Sequence, residues 1–317
     1  MYYGINLVWA VLIFFSLYML IFGFLIHFLE RITPKIFSDS FRYGKTMSNN
    51  DEAEVSFLVK QIQLPKSYFM HFYVFAVVLV GFLMALTVRV VLLGHSLPPW
   101  MSAFLDFVCG QDENHRVSNT SPESILIVML LFNLQCWRRL YECLYINIDS
   151  GSKMNILHYI VGFVHYFCAG IGFVSESPGF AEHEFFDDTI KWVHIEPDFR
   201  KVSLVQALAI LLFFWAWTHQ LAAHKIFADL KRKSYGTHTI PFGDWFKYVS
   251  CPHYFAEILI YLSLATILGP RHLTGWLVFA WVLINQVIAG LMSHWWYQKK
   301  FRQSYPSNRK AVLPFLI

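Results

Sequence analysis

The sequence predicts an all-α integral membrane protein of about seven transmembrane helices, with a lumenal N-terminus and a cytosolic C-terminus. Three observations carry this. First, the 317 residues are 56% hydrophobic and only 15% charged, with a mean hydropathy of +0.44, whereas soluble domains carry roughly 25% charge. Second, seven stretches stay apolar over the ~20 residues that a helix needs to cross the hydrocarbon core. Third, the loops alternate in basic charge. Segments 29–68, 148–154, 224–250 and 294–317 together hold 17 Lys or Arg, and the intervening segments 95–124, 176–202 and 270–272 hold 5. Basic loops remain on the cytosolic side, which sets the orientation.

The expected spans are 5–28, 69–94, 125–147, 155–175, 203–223, 251–269 and 273–293. The first exceeds the 7–15 apolar residues of a signal peptide and lacks a basic start or a small-residue cleavage site, so it reads as a retained helix. The second carries Arg89 near its end, where a long cation can snorkel to the interface. The third, "LQCWRRLYECLY", sets Arg138 and Arg139 one turn from Glu142, and the fourth holds His158 and His165. Glu257 lies in the sixth and His294 at the end of the seventh. A charge at the bilayer centre costs at least ~2.5–3.5 kcal/mol, so this many ionisable groups imply a protein-lined cavity rather than a passive anchor.

The loops add little else. The one N-x-[ST] sequon, Asn119-Thr120-Ser121, falls in a loop assigned to the lumenal side. Five cysteines lack C-x-x-C spacing, which argues against both a disulfide framework and a zinc site. His183 and His194 lack H-E-x-x-H spacing, so no metal is expected. No repeat, low-complexity tract or second domain interrupts the chain, which reads as one domain over 1–317.

Two segments concentrate polar residues beside apolar runs. "THTIPFGDWFKYVSCPHYFAEI" (237–258) places Asp244, Lys247, His253 and Glu257 among rings directly before the sixth span. Its position assigns it to the cytosolic mouth of the bundle, where irregular backbone is tolerated if it lines a cavity. His253 and Glu257 stand four residues apart, on one helix face. The tail "SHWWYQKKFRQSYPSNRKAVLPFLI" supplies Lys299, Lys300, Arg302, Arg309 and Lys310. These can hold topology against anionic lipid, or hold a phosphorylated cofactor while rings flank its heterocycle. With neither G-x-G-x-x-G nor a P-loop present, helix-borne side chains would hold any nucleotide.

These two segments, with "WTHQLAAHKIFADLK", "FRYGKT", "LPKSYFMHFY" and "CWRRLYECLY", resemble the steroid 5-alpha-reductase family, and within it the type 3, polyprenol-reducing branch. The likeness is continuous over 215–317 and covers nearly the whole chain. It implies a multi-pass enzyme of the endoplasmic reticulum membrane that uses NADPH to reduce the α-isoprene double bond of a long-chain isoprenoid. Polyprenol or polyprenal would become dolichol or dolichal, supplying dolichol for protein N-glycosylation; no nucleic acid is involved. Carried over by position, the resemblance assigns His294, Tyr297 and Glu257 to catalysis. It assigns Gln220, Lys231, His253, Glu257 and Tyr297 to the cofactor. The sequence departs from the family pattern at Lys231 (usually Arg), His253 (usually Asn), Thr239 (usually Arg) and Cys136, where steroid-reducing members carry a catalytic Tyr. Cys136 makes a poor substitute for that donor, which leaves the proton donor unassigned. Hydride attack also needs an electron sink, which a conjugated aldehyde has and an allylic alcohol lacks, so the aldehyde is the expected substrate. Two alternatives use the same residues: steroid 4-ene reduction, and an S-adenosylmethionine-dependent membrane methyltransferase, to which "CPHYFAE" is similar.

Overall fold

The computed structural model describes residues 4–28, 63–110, 116–148, 151, 153–181, 197–233 and 238–316. Eight α-helices occur among them: α1 (Leu7–Phe28), α2 (Phe69–Thr87), α3 (Pro99–Cys109), α4 (Pro122–Tyr141), α5 (Ile156–Ser175), α6 (Leu204–Lys233), α7 (Pro252–Leu268) and α8 (Leu273–Phe301). Two three-residue strands, β1 (Gln63–Pro65) and β2 (Lys153–Asn155), pair antiparallel and tie the approaches to α2 and α5 together.

Each of the seven apolar stretches coincides with a helix. Five helical segments are long and apolar enough to cross a membrane: Leu7–Leu25, Lys66–Leu92, Ile156–Ser175, Leu204–Lys233 and Leu273–Ser304. The other two differ for physical reasons: α7 has only 17 residues, and α4 carries Gln135, Arg138 and Arg139 inside its apolar run. Outward faces remain apolar, with Phe14, Ile21, Val78, Leu208 and Leu211 more than half exposed. This is the surface of a multi-pass membrane protein. The loop expected at 95–124 contains α3, opened by Pro99 and closed by Gly110 at φ 67°. The motif "FRYGKT" and the residues His183 and His194 lie outside the described residues. The five cysteines are free, and among the described residues no group of three or more His, Cys, Asp or Glu side chains is placed to hold a metal ion.

Local chemistry sets the helix ends. Ser121 Oγ accepts from Ser124 N–H at the start of α4, and Asn155 Oδ1 accepts from Leu157 N–H at the start of α5. α7 begins on Pro252, whose missing N–H is no loss there. Helices α2 and α4 each run on into a single π-helical turn, Val88–Leu92 and Glu142–Ile146. The wider turn at Glu142 re-aims that carboxylate relative to a straight helix.

Inside the bundle α6 packs along α7, α4 lies against both α2 and α7, and α8 packs on α1 and α7. Phe132, Phe173, Phe213 and Tyr261 are fully buried where they meet. The C-terminal tail folds back beneath this core. Lys310 N–H donates to Tyr248 O, while Ser250 and Cys251 N–H donate to the carbonyls of Lys310 and Ala311. Gly290 of α8 permits this, because a Cβ there would stand 1.9 Å from Val312 Cγ2.

Polar groups also gather at the other end of the bundle. The Glu176 carboxylate accepts from the N–H groups of Leu273 and Thr274 at the start of α8 and from the Asn119 side chain. His272 caps the same helix through Nδ1, which accepts from Gly275 N–H, while Nε2–H donates to Phe173 O.

Candidate functional site

The sequence-predicted residues separate into two clusters on opposite faces of α7, with one residue outside both. The first cluster joins α4, α6 and α7. Glu257 Oε2 accepts from Gln220 Nε2 and, over 3.2 Å, from Gln135 Nε2. Gln220 Oε1 in turn accepts from Gln135 Nε2 at 3.0 Å and from the Arg138 guanidinium. Gln220 also donates to the His253 carbonyl at 3.4 Å. The His253 ring sits 5.7 Å from that of His224 and 5.1 Å from that of Phe227.

One turn on, Glu142 closes the network. Its fully buried carboxylate lies 3.3 Å from Arg138 Nε, beside Arg139 Nη1, and 2.8 Å from His224 Nδ1. Arg138 rests on the Trp217 ring at 4.4 Å, and Arg139 donates to Tyr73 OH at 2.8 Å. Two cations thus meet two anions, so the cluster is balanced rather than a phosphate site. Charge at this depth is tolerated because each group is paired. Of the two carboxylates, Glu257 keeps part of its surface open, and its Oε1 accepts no hydrogen bond among the described residues. That atom is a carboxylate acceptor facing space.

The second cluster joins α8, the stretch before α7 and the tail. His294 Nδ1 lies 2.6 Å from Ser250 Oγ, which stands 2.5 Å from Tyr305 OH. Tyr297 stacks on Tyr305, with centroids 5.5 Å apart and planes within 11°. Burial pushes the Tyr305 phenol above its ordinary pKa. Arg309 is 3% exposed and lies 5.2 Å from the Phe242 ring and 5.3 Å from the Tyr305 ring, donating Nη1–H to Pro241 O. Its Nε has no hydrogen-bond partner, and among the described residues no carboxylate pairs with it.

Helix period explains the split. Residues 253 and 257 face α4 and α6, whereas Tyr254 faces α8 and the tail, beside Ser250 and Cys251, which pair with the tail before the helix begins. Lys231, expected with the cofactor residues, instead donates Nζ–H to Ile148 O at 3.0 Å on the exposed end of α6. The structure does not bring it to either cluster. The other polar residues of the 237–258 segment are engaged locally: Asp244 lies 2.8 Å from His219 Nδ1, and Lys247 Nζ lies 4.7 Å from the Tyr248 ring centroid.

Sequence reasoning did not select Gln135, Tyr73, His224, Ser250 or Tyr305 for the site. Gln135 had a legible signal, an uncharged polar residue in an otherwise apolar stretch. The other four become visible only through their partners.

Comparison with known proteins identifies the chain's relatives. A family model described as 3-oxo-5-alpha-steroid 4-dehydrogenase matches residues 153–317. The chain is 34% identical over 291 residues to a polyprenal reductase of Homo sapiens, covering 89% of this chain and 86% of that protein. It is 35% identical over 322 residues to a polyprenal reductase of Drosophila melanogaster, covering 99% and 94%. A Xenopus laevis polyprenal reductase is 34% identical over 290 residues, covering 89% and 85%.

Proposed function

We propose, from the premise that this chain belongs to the steroid 5-alpha-reductase family, that it reduces the α-isoprene double bond of a long-chain polyprenal, using NADPH. The observation that carries the reading is the partly open Glu257 carboxylate, fixed by two glutamines and backed by an arginine, deep in an apolar bundle. Relatives named polyprenal reductase point to an aldehyde, as does the chemistry, since only the conjugated carbonyl can take up the displaced electron pair. Family membership groups the chain with reductases rather than methyltransferases. Cys136, in place of the tyrosine of steroid-reducing members, favours the isoprenoid over the steroid.

The residues present fit NADPH. Glu257 Oε1 is an acceptor suited to a carboxamide N–H. Arg309, buried between two rings, with a spare N–H and no acid beside it among the described residues, suits a phosphate, and a guanidinium can hold one bidentately. When bound, NADPH supplies the hydride that adds to the β carbon. Glu257, Gln220 and His253 would contact the cofactor from the first cluster, and Tyr297 and Arg309 from the second, around the N-terminal end of α7. His294, anchored through Ser250, lines the second of these groups. Lys231, which donates to the Ile148 carbonyl, is assigned to the cofactor by the family resemblance alone. We place the enzyme in the endoplasmic reticulum membrane, with seven crossings, a lumenal N-terminus and a cytosolic C-terminus, providing dolichol precursors for N-glycosylation.

The test feeds purified protein NADPH with polyprenal, polyprenol and a 3-oxo-4-ene steroid in parallel. Polyprenal should turn over and the other two lag by at least ~100-fold. Turnover of steroid alone, or of none with NADPH, would overturn the reading. Glu257→Ala should weaken NADPH binding measured directly by calorimetry; unchanged affinity would remove Glu257 from the pocket.

A further inference from the structure

One hydrogen-bonded chain of three side chains is used by no step above: Trp281 of α8, His165 of α5 and Tyr261 of α7. The Trp281 indole N–H donates to His165 Nδ1 over 3.2 Å, and His165 Nε2 lies 2.7 Å from the Tyr261 hydroxyl oxygen. An indole nitrogen only donates, so Nδ1 is an acceptor, the ring is neutral, and its single hydrogen sits on Nε2. That hydrogen points at Tyr261. The phenol oxygen therefore accepts from His165, and its own hydrogen is left over, with no acceptor among the described residues. Tyr261 is 1% exposed, and a buried donor without an acceptor marks a place where a ligand atom or water belongs.

Its position is that of a catalytic group. Tyr261 stands one turn beyond Glu257 on α7, packs edge-on to Phe132 at 6.1 Å, and lies within electrostatic reach of Cys136, Glu257 and Tyr73. Cys136 is the position where a tyrosine is missing, and α7 brings one beside it from another helix. On the far side, His165 and Trp281 form the polar end of a small cavity whose other walls are apolar, among them Val11, Leu12 and Phe15 of α1 and Val161 and Val164 of α5.

We propose that Tyr261 is the proton donor of the reduction and that His165 and Trp281 are positioning residues that fix its hydrogen toward the substrate carbonyl. The proposal rests on the polyprenal reading above. As hydride from the nicotinamide donor bonds to the β carbon, the carbon–carbon π pair shifts to form an enolate. The Tyr261 O–H bond then breaks and its proton passes to the enolate oxygen, leaving a tyrosinate that His165 Nε2–H holds until a solvent proton restores it; the enol then tautomerises, its O–H breaking as the α carbon gains a proton and the aldehyde C=O re-forms. The sum is one hydride and one proton added across the double bond.

The test uses the full-length protein in lipid nanodiscs, with wild-type turnover of a polyprenal as the control for the reading itself. If wild type reduces polyprenal, Tyr261→Phe should lower kcat by roughly 100-fold or more, with KM and thermal unfolding near wild type. Bound saturated aldehyde should show an infrared carbonyl band lowered in frequency in wild type and restored in Tyr261→Phe, a readout independent of turnover. His165→Leu should lower kcat, and His165→Gln, which can still donate to Tyr261 and accept from Trp281, should recover part of it. Wild-type kcat in a folded Tyr261→Phe, or an unshifted carbonyl band in both proteins, overturns the proposal. Should Tyr261→Phe fail to fold, difluorotyrosine at 261 keeps the shape and acidifies the phenol. A pH–rate profile that then matches wild type overturns the proposal as well. No polyprenal turnover by folded wild type refutes instead the reading on which it rests.

Discussion

Replacing Glu142 by alanine should be the most destabilising single change among the polar residues of the bundle. Its carboxylate is fully buried, with Arg138 Nε at 3.3 Å, the Arg139 guanidinium in contact and His224 Nδ1 at 2.8 Å. The side chains of both arginines are themselves largely buried, 4% and 15% exposed. Truncation leaves two buried cations with one remaining carboxylate, Glu257, and with contacts to Trp217 O, Gln135, Gln220, His224 and Tyr73. Breaking a buried pair from one side costs roughly 3–5 kcal/mol, about a 140- to 3,700-fold loss in the folded ratio at 1.4 kcal/mol per factor of ten. Glu142→Gln keeps an acceptor oxygen and should lose less. Adding Arg138→Met to Glu142→Ala should recover part of the loss, because the second change removes one stranded charge. Reversible unfolding in mixed micelles, followed by tryptophan fluorescence, reads all three. A Glu142→Ala protein within about 1 kcal/mol of wild type, or a double variant worse than the sum of the singles, would refute the coupling.

Three further outcomes are expected. Gly290→Ala should loosen the tail and cost about 1–3 kcal/mol, since the new methyl overlaps Val312; adding Val312→Ala should restore stability and protect the tail from limited proteolysis. Burial holds the His272 imidazole below its ordinary pKa of 6.5, against the raising effect of Glu176. The unfolded chain therefore takes up this proton first, so the contribution is complete above pH 6.5 and declines as pH falls below it. His272→Gln should flatten that slope in thermal melts between pH 7 and 5. His294→Ala should leave folding and insertion intact but cut polyprenal reduction by roughly 100-fold or more. A folded variant with normal kinetics excludes the role, and lost NADPH binding would make His294 a cofactor ligand.

All seven helical stretches were legible in the sequence, because hydropathy is a local quantity and each run satisfies its backbone internally without reference to its neighbours. Glu257 with His253 was legible too, since a four-residue spacing fixes a shared face whatever the helix packs against. The helix inside the 95–124 loop was not foreseen. It is 11 residues long, too short to register in a membrane-length window.

What only the tertiary structure decided is which polar group answers which. The sequence puts His294 and Glu257 in one cytosolic mouth; the fold divides them between two faces of α7, because the tail, held against Tyr248 and Ser250, claims the α8 side. Lys231 reads as a cofactor contact by position alone, yet α6 carries it to the Ile148 carbonyl. Tyr261 gives no sign in the sequence, where it is one more aromatic in an apolar span. Its meaning depends on His165, 96 residues earlier, and on the tautomer that Trp281 imposes from a third helix. Apolar burial is written residue by residue along the chain, whereas a hydrogen bond needs two directed partners, and in a helical bundle those partners come from different helices.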